Sequence, residues 1–437
     1  MPRKQLHLNL FIFGAGHHRG AWRHPDSPLE RLGDIAYYEE LAQLAERGKL
    51  DAVFLADGHA MFDLADGPRW HLEPLTMLAA MARATERIGL VSTISSTFGT
   101  PFHVARQLAS LDHISRGRIG WNVVTSMFDI EARNHGYEAM PGHAERYARA
   151  EEMVSAVLAL WDSWDDDAFT LDRHGDYVRP GSVRPVYHEG AYFRADGPLT
   201  VPRPPQGHPV LFQAGASDHG RDLAARRAEA IYAVANDLPS AQRYYRDVKR
   251  RIAAAGRAAD VPIMPGLVTY VGSTEAEARA KQHALDELLP ASASLNQLGT
   301  FVQQDCSAWE LDAPVPALPP LADFKGPQGR YATILRIIER EQPTVRQLLG
   351  RLAAGGGHCT VVGTPERIAD HIEEWLDNEG ADGFNLMPPA LPHSVADFID
   401  HVIPVLQRRG RFRRDYEGRT LREHLGLARP AVAGPGA

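Results

Sequence analysis

Eight short runs rich in aliphatic and β-branched residues constrain this chain most. Each is followed by a stretch with helical spacing. The runs fall at residues 6–13, 51–56, 88–94, 118–125, 208–213, 230–234, 262–271 and 382–387. Between them, spacing predicts helices over 34–48, 73–85, 101–114, 143–164, 218–227 and 239–255, then a long, mostly helical stretch, and a closing helix over 395–409. The first helix shows the pattern: Ile35, Tyr38, Leu41, Leu44 and Ala45 recur on one face, with Asp34 as N-cap and Gly48 as C-cap. Strands alternating with helices imply parallel pairing, and eight such units close a (β/α)8 TIM barrel. The alternative is an open, doubly wound sheet. It is weakened because Gly14-Ala15-Gly16-His17-His18-Arg19 lacks the third glycine of a dinucleotide fingerprint.

A plain barrel needs about 250 residues, and this chain has 437. Much of it is therefore insertion. One candidate spans 162–206, rich in Pro, Gly, Asp and Tyr; the other spans 280–357, with a Pro-rich run at 313–320 and three glycines at 355–357. Loops this long in a compact enzyme act as lids or binding elements. The expectation is a single domain over 1–410 with both insertions, and a polar, basic surface arm over 411–437. A net charge of -8 argues against a nucleic-acid partner. Two cysteines, Cys306 and Cys359, leave no room for a disulfide framework and point to a reducing cytoplasm. Residues 6–13 are too short and too alternating for a signal peptide, and no apolar run approaches the roughly 18 residues of a membrane span.

In a barrel, chemistry sits at the C-terminal ends of the strands. On the fourth strand Gly120, Asn122, Val124 and Ser126 share one face; Trp121, Val123 and Thr125 share the other. A small, polar face suggests that something other than side chains fills the space above it, and a flat aromatic ligand fits. The competing reading is an ordinary half-exposed strand. Other strand ends offer His17, His18 and Arg23, then Asp57, then Thr93, then Gln213-Ala214-Gly215-Ala216-Ser217. This set lacks the paired carboxylates of a glycosidase and has no lysine for a Schiff base. Around Gly215, Ala216 and Ser217 a strand turns into a helix start, which suits a phosphate; the plain reading is that Ser217 only caps the helix. His143 and Tyr147, four apart, share a helix face, and spacing alone makes them a turn over the barrel rim. His17 and His18 are neighbours on an extended chain and point apart, so one faces a substrate and the other packs, and no metal site is expected.

Four segments together carry a resemblance: 17–23 (HHRGAWR), 41–57 (LAQLAERGKLDAVFLAD), 117–126 (GRIGWNVVTS) and 204–217 (PPQGHPVLFQAGAS). They resemble the two-component, flavin-dependent monooxygenases of the bacterial luciferase-like superfamily, in the branch of nitrilotriacetate monooxygenase component A and dibenzothiophene-sulfone monooxygenase. The resemblance implies a barrel that takes reduced FMN (FMNH2) from a separate NAD(P)H-dependent flavin reductase. With dioxygen it would oxygenate a small organic substrate through a flavin 4a-hydroperoxide and cleave a C–N or C–S bond. Asp57, Thr93 and Asn122 would line the flavin ring, and His143, Tyr147 and Ser217 its ribityl-phosphate side, with Ser126, Gly215 and Ala216 completing the cofactor set. His17, His18 and Arg23 would serve the substrate side. This chain has Ala144 where the family usually has an Asp, which removes one local hydrogen bond and leaves the binding mode. Such barrels often form homodimers or homotetramers. The rival readings are a deazaflavin- or flavin-dependent hydride-transfer enzyme, a metal-dependent barrel hydrolase and a non-catalytic flavin binder.

Overall fold

The computed structural model describes residues 5–61, 67–68, 71–258, 260–324 and 328–432. The chain runs from β1 (His7–Ile12) through α1 (Ile35–Arg47), β2 (Ala52–Leu55), α2 (Pro74–Ala84), β3 (Gly89–Ser95) and α3 (Pro101–Ser115) to β4 (Ile119–Val124). Then come α4 (Asp129–Asn134), α5 (His143–Trp161), the two-residue strands β5 (His188–Glu189) and β6 (Arg194–Ala195), and β7 (Val210–Gln213). They are followed by α6 (Asp218–Arg227), β8 (Ala230–Ala233), α7 (Leu238–Ala254) and β9 (Ile263–Val271). Helices α8 (Glu275–Glu287), α9 (Ala291–Val302), α10 (Gln328–Glu341) and α11 (Val345–Ala353) precede β10 (Cys359–Gly363), α12 (Pro365–Asp377) and β11 (Gly383–Leu386). Helices α13 (His393–Asp397), α14 (Ile403–Arg408) and α15 (Leu421–His424) follow.

Strands β1, β2, β3, β4, β7, β8, β9 and β11 pair in parallel in that order, and β11 returns to β1. The barrel expected from the alternation is therefore closed. β10 is an additional strand that the alternation did not signal. Residues 267–271 of β9 pair with it, whereas Ile263, Met264 and Pro265 pair with β8. The Cys359 N–H donates to the Ala235 carbonyl at 3.0 Å, so β10 extends the wall just where β8 stops.

The local signals around α1 hold. Asp34 accepts from the Ala36 N–H at 3.0 Å as N-cap. Gly48 caps the other end with φ −72°, so its lack of a side chain serves space rather than handedness: a Cβ there would lie 2.7 Å from Ile399 Cγ1.

Inward-facing side chains alternate with outward ones along each barrel strand. Phe11, Phe54, Val91, Val210, Phe212, Met264 and Val268 point in; Leu8, Leu10, Val53, Leu90, Trp121 and Leu211 point out against the helices. The small residues low in the barrel make room for something unexpected. A Cβ on Gly89 would lie 2.5 Å from Leu421 Cδ1, and one on Gly120 would lie 3.1 Å from Leu421 Cδ2. Leu421 and Leu425 belong to the same inner cluster. The tail beyond Gly410, expected as a surface arm, thus folds back and plugs the N-terminal end of the barrel. Arg413 and Arg422 fasten it there, the first to Asp51 and the second through two 2.7 Å bonds to Glu229. The space above Gly120 is filled by Leu421 and by Phe212, not left for a ligand.

The two insertions lie in different places. The first leaves α5 at the plugged end, where Gln206 Nε2 donates to Asp112 and to the Ile119 carbonyl, and its β5–β6 ribbon lies along the outside of α5. The second builds α9, α10 and α11 around its own core of Leu298, Tyr331, Ile334 and Leu348. It touches the rim: Arg19 N donates to the Ala353 carbonyl at 3.2 Å, and Ala354 bridges to His18.

Candidate active site

The C-terminal end of the barrel is floored by aromatic rings. Phe54 meets Phe11 edge-on at 5.4 Å, Phe212 at 6.0 Å and Tyr232 at 5.9 Å. These inward residues of β1, β2, β7 and β8 seal the rim from the interior below, which makes a dry base for a ligand.

On one side of this floor stand Thr93 and Asn122, brought together because β3 and β4 pair in register. Asn122 Nδ2 donates to Thr93 Oγ1 at 2.9 Å. Its Oδ1 is buried and has no partner. A buried carbonyl oxygen without a donor is costly, so this acceptor is the clearest demand for a ligand at the rim. Ser126 sits past the strand end with φ +51° and donates to Ser95 Oγ at 2.9 Å; its hydroxyl hydrogen is therefore engaged within the protein. Asp57, after β2, accepts from the Gly58 N–H and pairs with His59 Nε2, both at 2.9 Å. His59 Nδ1 lies 2.7 Å from His135 Nε2, and Phe98 stacks on His135 at 4.2 Å. The bond to Asp57 raises the His59 pKa, while burial and then the charge of His59 lower that of His135.

The loop from β7 to α6 forms the next part of the rim. Ser217 is the N-cap of α6, its Oγ accepting from the Gly220 N–H at 3.2 Å. That leaves the hydroxyl hydrogen available to an anion, so capping and phosphate contact are compatible. Gly215 and Gly220 approach so closely that a Cβ on Gly215 would lie 2.5 Å from the Gly220 Cα. Ala216 continues this loop, and its carbonyl is held by Arg221 Nε at 3.0 Å. His143 and Tyr147, on the first turns of α5, are brought to this loop: their rings lie 5.0 Å apart, and His219 of α6 packs on both. Burial and the neighbouring Arg146 lower the His143 pKa. Cofactor candidates from five separate segments thus meet along one arc of the rim. Sequence reasoning missed His219, which the spacing of 213–221 places one residue inside the helix start.

The opposite arc is built from β1, β8, β9 and the second insertion. His17 Nε2 lies 3.0 Å from the Phe11 carbonyl, which fixes the proton on Nε2 and leaves Nδ1 as an acceptor. Burial lowers its pKa to about 4, so the ring is neutral at physiological pH. His18 is turned away. It is 1% exposed, accepts from the Gly20 N–H at Nδ1 and meets Asp286 at Nε2, both at 3.0 Å. It ties the first loop to α8 and is not on the substrate side. Arg23 stacks over Trp22 at 4.2 Å on the outer surface. Sequence reasoning missed Tyr232, His358 and Arg330. Tyr232 Oη lies 3.1 Å from His358 Nε2. Burial lowers His358 to a pKa of about 3, and its ring stacks on Tyr232. The signal for His358 was the glycine run before it: Gly355, Gly356 and Gly357 all have positive φ, at 73°, 62° and 99°.

A surface recess of about 820 Å³ lies away from the rim, lined by Arg351, Thr360, Val362, Arg367 and His371 among others. Its arginines pair with Glu341 and Glu275, and it holds none of the rim residues. Among the described residues, no group of three or more His, Cys, Asp or Glu side chains is arranged to hold a metal ion. No helix among them is long and apolar enough to cross a membrane.

A family model described as luciferase-like monooxygenase matches residues 10–383. Nitrilotriacetate monooxygenase component A of Aminobacter aminovorans is 45% identical over 450 residues, covering 99% of either chain. N-acetyl-S-(2-succino)cysteine monooxygenase of Bacillus subtilis (strain 168) is 45% identical over 433 residues, covering 98% of either chain. Among solved structures, a riboflavin lyase with modified FMN and riboflavin superposes with a TM-score of 0.85 at 33% identity, covering 98% of either chain.

Proposed function

The chain belongs to the luciferase-like monooxygenase family, and on that footing we propose that it uses reduced FMN and dioxygen to oxygenate a small organic substrate at a carbon beside nitrogen or sulfur. The observation that carries this reading is the buried, unpartnered Asn122 Oδ1 beside a helix start suited to phosphate. A flavin ring offers N–H donors to that oxygen, and its phosphate suits the Ser217 turn. When bound, the cofactor supplies two electrons; one oxygen atom enters the substrate and the other leaves as water.

The chain's own residues do the rest. Thr93, Asn122 and Asp57 hold and orient the ring. His143, Tyr147, Gly215, Ala216 and Ser217 hold the ribityl-phosphate side, with Ser126 at their border. Phe11, Phe54, Phe212 and Tyr232 keep water from entering from below. His17 offers a neutral Nδ1 that accepts a proton or a hydrogen bond on the substrate side. A hydroxylated carbon next to N or S then expels that heteroatom with its bonding electrons and becomes a carbonyl.

A separate NAD(P)H-dependent reductase supplies the reduced cofactor, in keeping with a relative called a component A. We place the enzyme in the cytoplasm as a homodimer or homotetramer, on two free, buried cysteines and the habits of such barrels. Residues 1–410 form the catalytic unit, completed by the tail as its plug.

The test is anaerobic titration with reduced FMN, then oxygenated buffer with and without candidate amines and thioethers. The reading expects saturable binding and substrate-dependent oxygen uptake with stoichiometric product. Hydride transfer without oxygen uptake, activity lost only on chelation, or binding with no turnover would each point to a rival reading and overturn this one.

A further inference from the structure

We propose that Arg330 is the specificity residue of this enzyme, anchoring a carboxylate of the substrate, so that the substrates are small organic acids carrying an amine or thioether. The inference rests on the monooxygenase reading of the site, and it concerns the arc of the rim opposite Asn122.

Arg330 stands in the first turn of α10. Its guanidinium lies over the Phe301 ring at 4.5 Å and against the Gly356 backbone, where a Cβ would come within 3.2 Å of it. Those two contacts fix where the charge points and leave its donors free. No carboxylate and no hydrogen-bond acceptor among the described residues pairs with it. The contrast within the same insertion is sharp: Arg340 pairs with Asp237, Arg346 with Asp312 and Arg351 with Glu341.

The location makes this more than a spare surface charge. Arg330 is exposed, and the Gly356 backbone it lies against is two residues from His358, the partner of Tyr232. The neighbouring Gly355 N–H donates to the His17 carbonyl, so the guanidinium stands on the same arc of the rim. A guanidinium stays charged at neutral pH and is built for bidentate carboxylate binding. Without a counter-charge among the described residues, it is open to an anion that arrives with the ligand.

Tyr232 supplies a second donor. His358 is 7% exposed, and its Nδ1 is buried with no partner against Gly266. A buried N–H without an acceptor costs more than a lone pair left there. The favoured tautomer thus carries its proton on Nε2 and donates it to Tyr232 Oη. The phenol hydrogen is then free for the ligand, with Met387 Sδ at 3.4 Å as its weak alternative within the protein. A guanidinium and a phenol on one arc of the rim, with no acid among the described residues to match them, suit a carboxylate.

The experiment uses the full chain, with R330M and R330K beside wild type. R330M keeps the packing on Phe301 and loses the charge; R330K keeps the charge and loses the fork. Calorimetric titration with succinate and iminodiacetate, without flavin, reads the anchor directly. Wild type is expected to bind at least one of them, R330M to lose at least tenfold in affinity, and R330K to fall between. In turnover with a reductase, carboxymethyl thioethers are expected to beat their methyl esters about 100-fold in kcat/KM. R330M is expected to abolish that preference mainly through KM, with reduced-FMN affinity and melting temperature unchanged. Equal dicarboxylate affinity in wild type and R330M, or esters oxidised as well as acids by wild type, would overturn the proposal. Dicarboxylate binding that needs Arg330, in a protein that takes no reduced FMN, would uphold the anchor and sink the monooxygenase reading instead.

Discussion

Leu421 fills the space that a side chain on Gly89 would need: a Cβ built there meets Leu421 Cδ1 at 2.5 Å. The glycines low in β3 and β4 and the leucine of the tail are complementary parts of one plug. Leu421→Ala would open a cavity on a fully buried site. The expected cost is about 2–5 kcal/mol, read by denaturant unfolding. An unchanged midpoint would mean that the plug is not part of the cooperative core.

Asn122→Leu should separate stability from binding. In the free protein the substitution removes an orphaned carbonyl, so unfolding stability is expected to hold or rise. With flavin present it removes the acceptor, and affinity for reduced FMN is expected to fall roughly ten- to hundredfold, the equivalent of about 1–3 kcal/mol. Anaerobic titration and thermal melting on one sample would show opposite signs. A parallel loss of both would return Asn122 to a structural role.

Asp51 predicts where acid unfolding begins. It is fully buried; burial alone would raise its pKa, but Arg413, His7 and the Leu8 N–H bring it down to about 2. A carboxyl whose folded pKa is depressed contributes stability above its unfolded value, near 4, and loses that contribution as pH falls toward 2. Stability on the order of 2 kcal/mol is therefore expected to disappear between pH 4 and 2 through this group. Asp51→Asn should lower stability at pH 7 and flatten that part of the curve. A mutant curve parallel to wild type through this window would refute the assignment.

The His59 pKa should fall when Asp57 loses its charge. The bond to Asp57 is the leading cause that raises it. In Asp57→Asn, imidazole NMR titration is expected to show the His59 pKa dropping. An unmoved His59 would mean that the 2.9 Å contact with Asp57 does not stabilise its charged form.

The eight staves were legible because each is a short run rich in aliphatic and β-branched residues, followed by a stretch with helical spacing. β10 was hidden because its burial alternates over only five residues and a glycine run precedes it. Gly120 was misleading for a simple reason. A small residue signals space but not its occupant, and Leu421 lies 301 residues further on by their numbers. The cofactor arc was drawn from the resemblance, which assigns flavin contacts to Thr93, Asn122 and Ser217; their spacing alone left a half-exposed strand and a helix cap as competing readings. Arg330 could not be placed so, because an insertion with its own core carries it to the rim, and no period in the chain records that docking. His17 and His18 divided as neighbours on an extended chain must, one toward the rim and one into Asp286.

The plug also orders events during synthesis. All eight barrel strands leave the ribosome before Leu421 and Arg422 do, so a nascent barrel has its walls and its aromatic floor but an open base. Beneath that floor Glu229 and Asp51 wait without their arginine partners. The base then closes in one late step, when the tail seats, rather than gradually as strands accumulate. A bulky fusion placed close behind residue 437 would delay that seating, although the tail lies at the opposite end of the barrel from every residue proposed to touch the flavin.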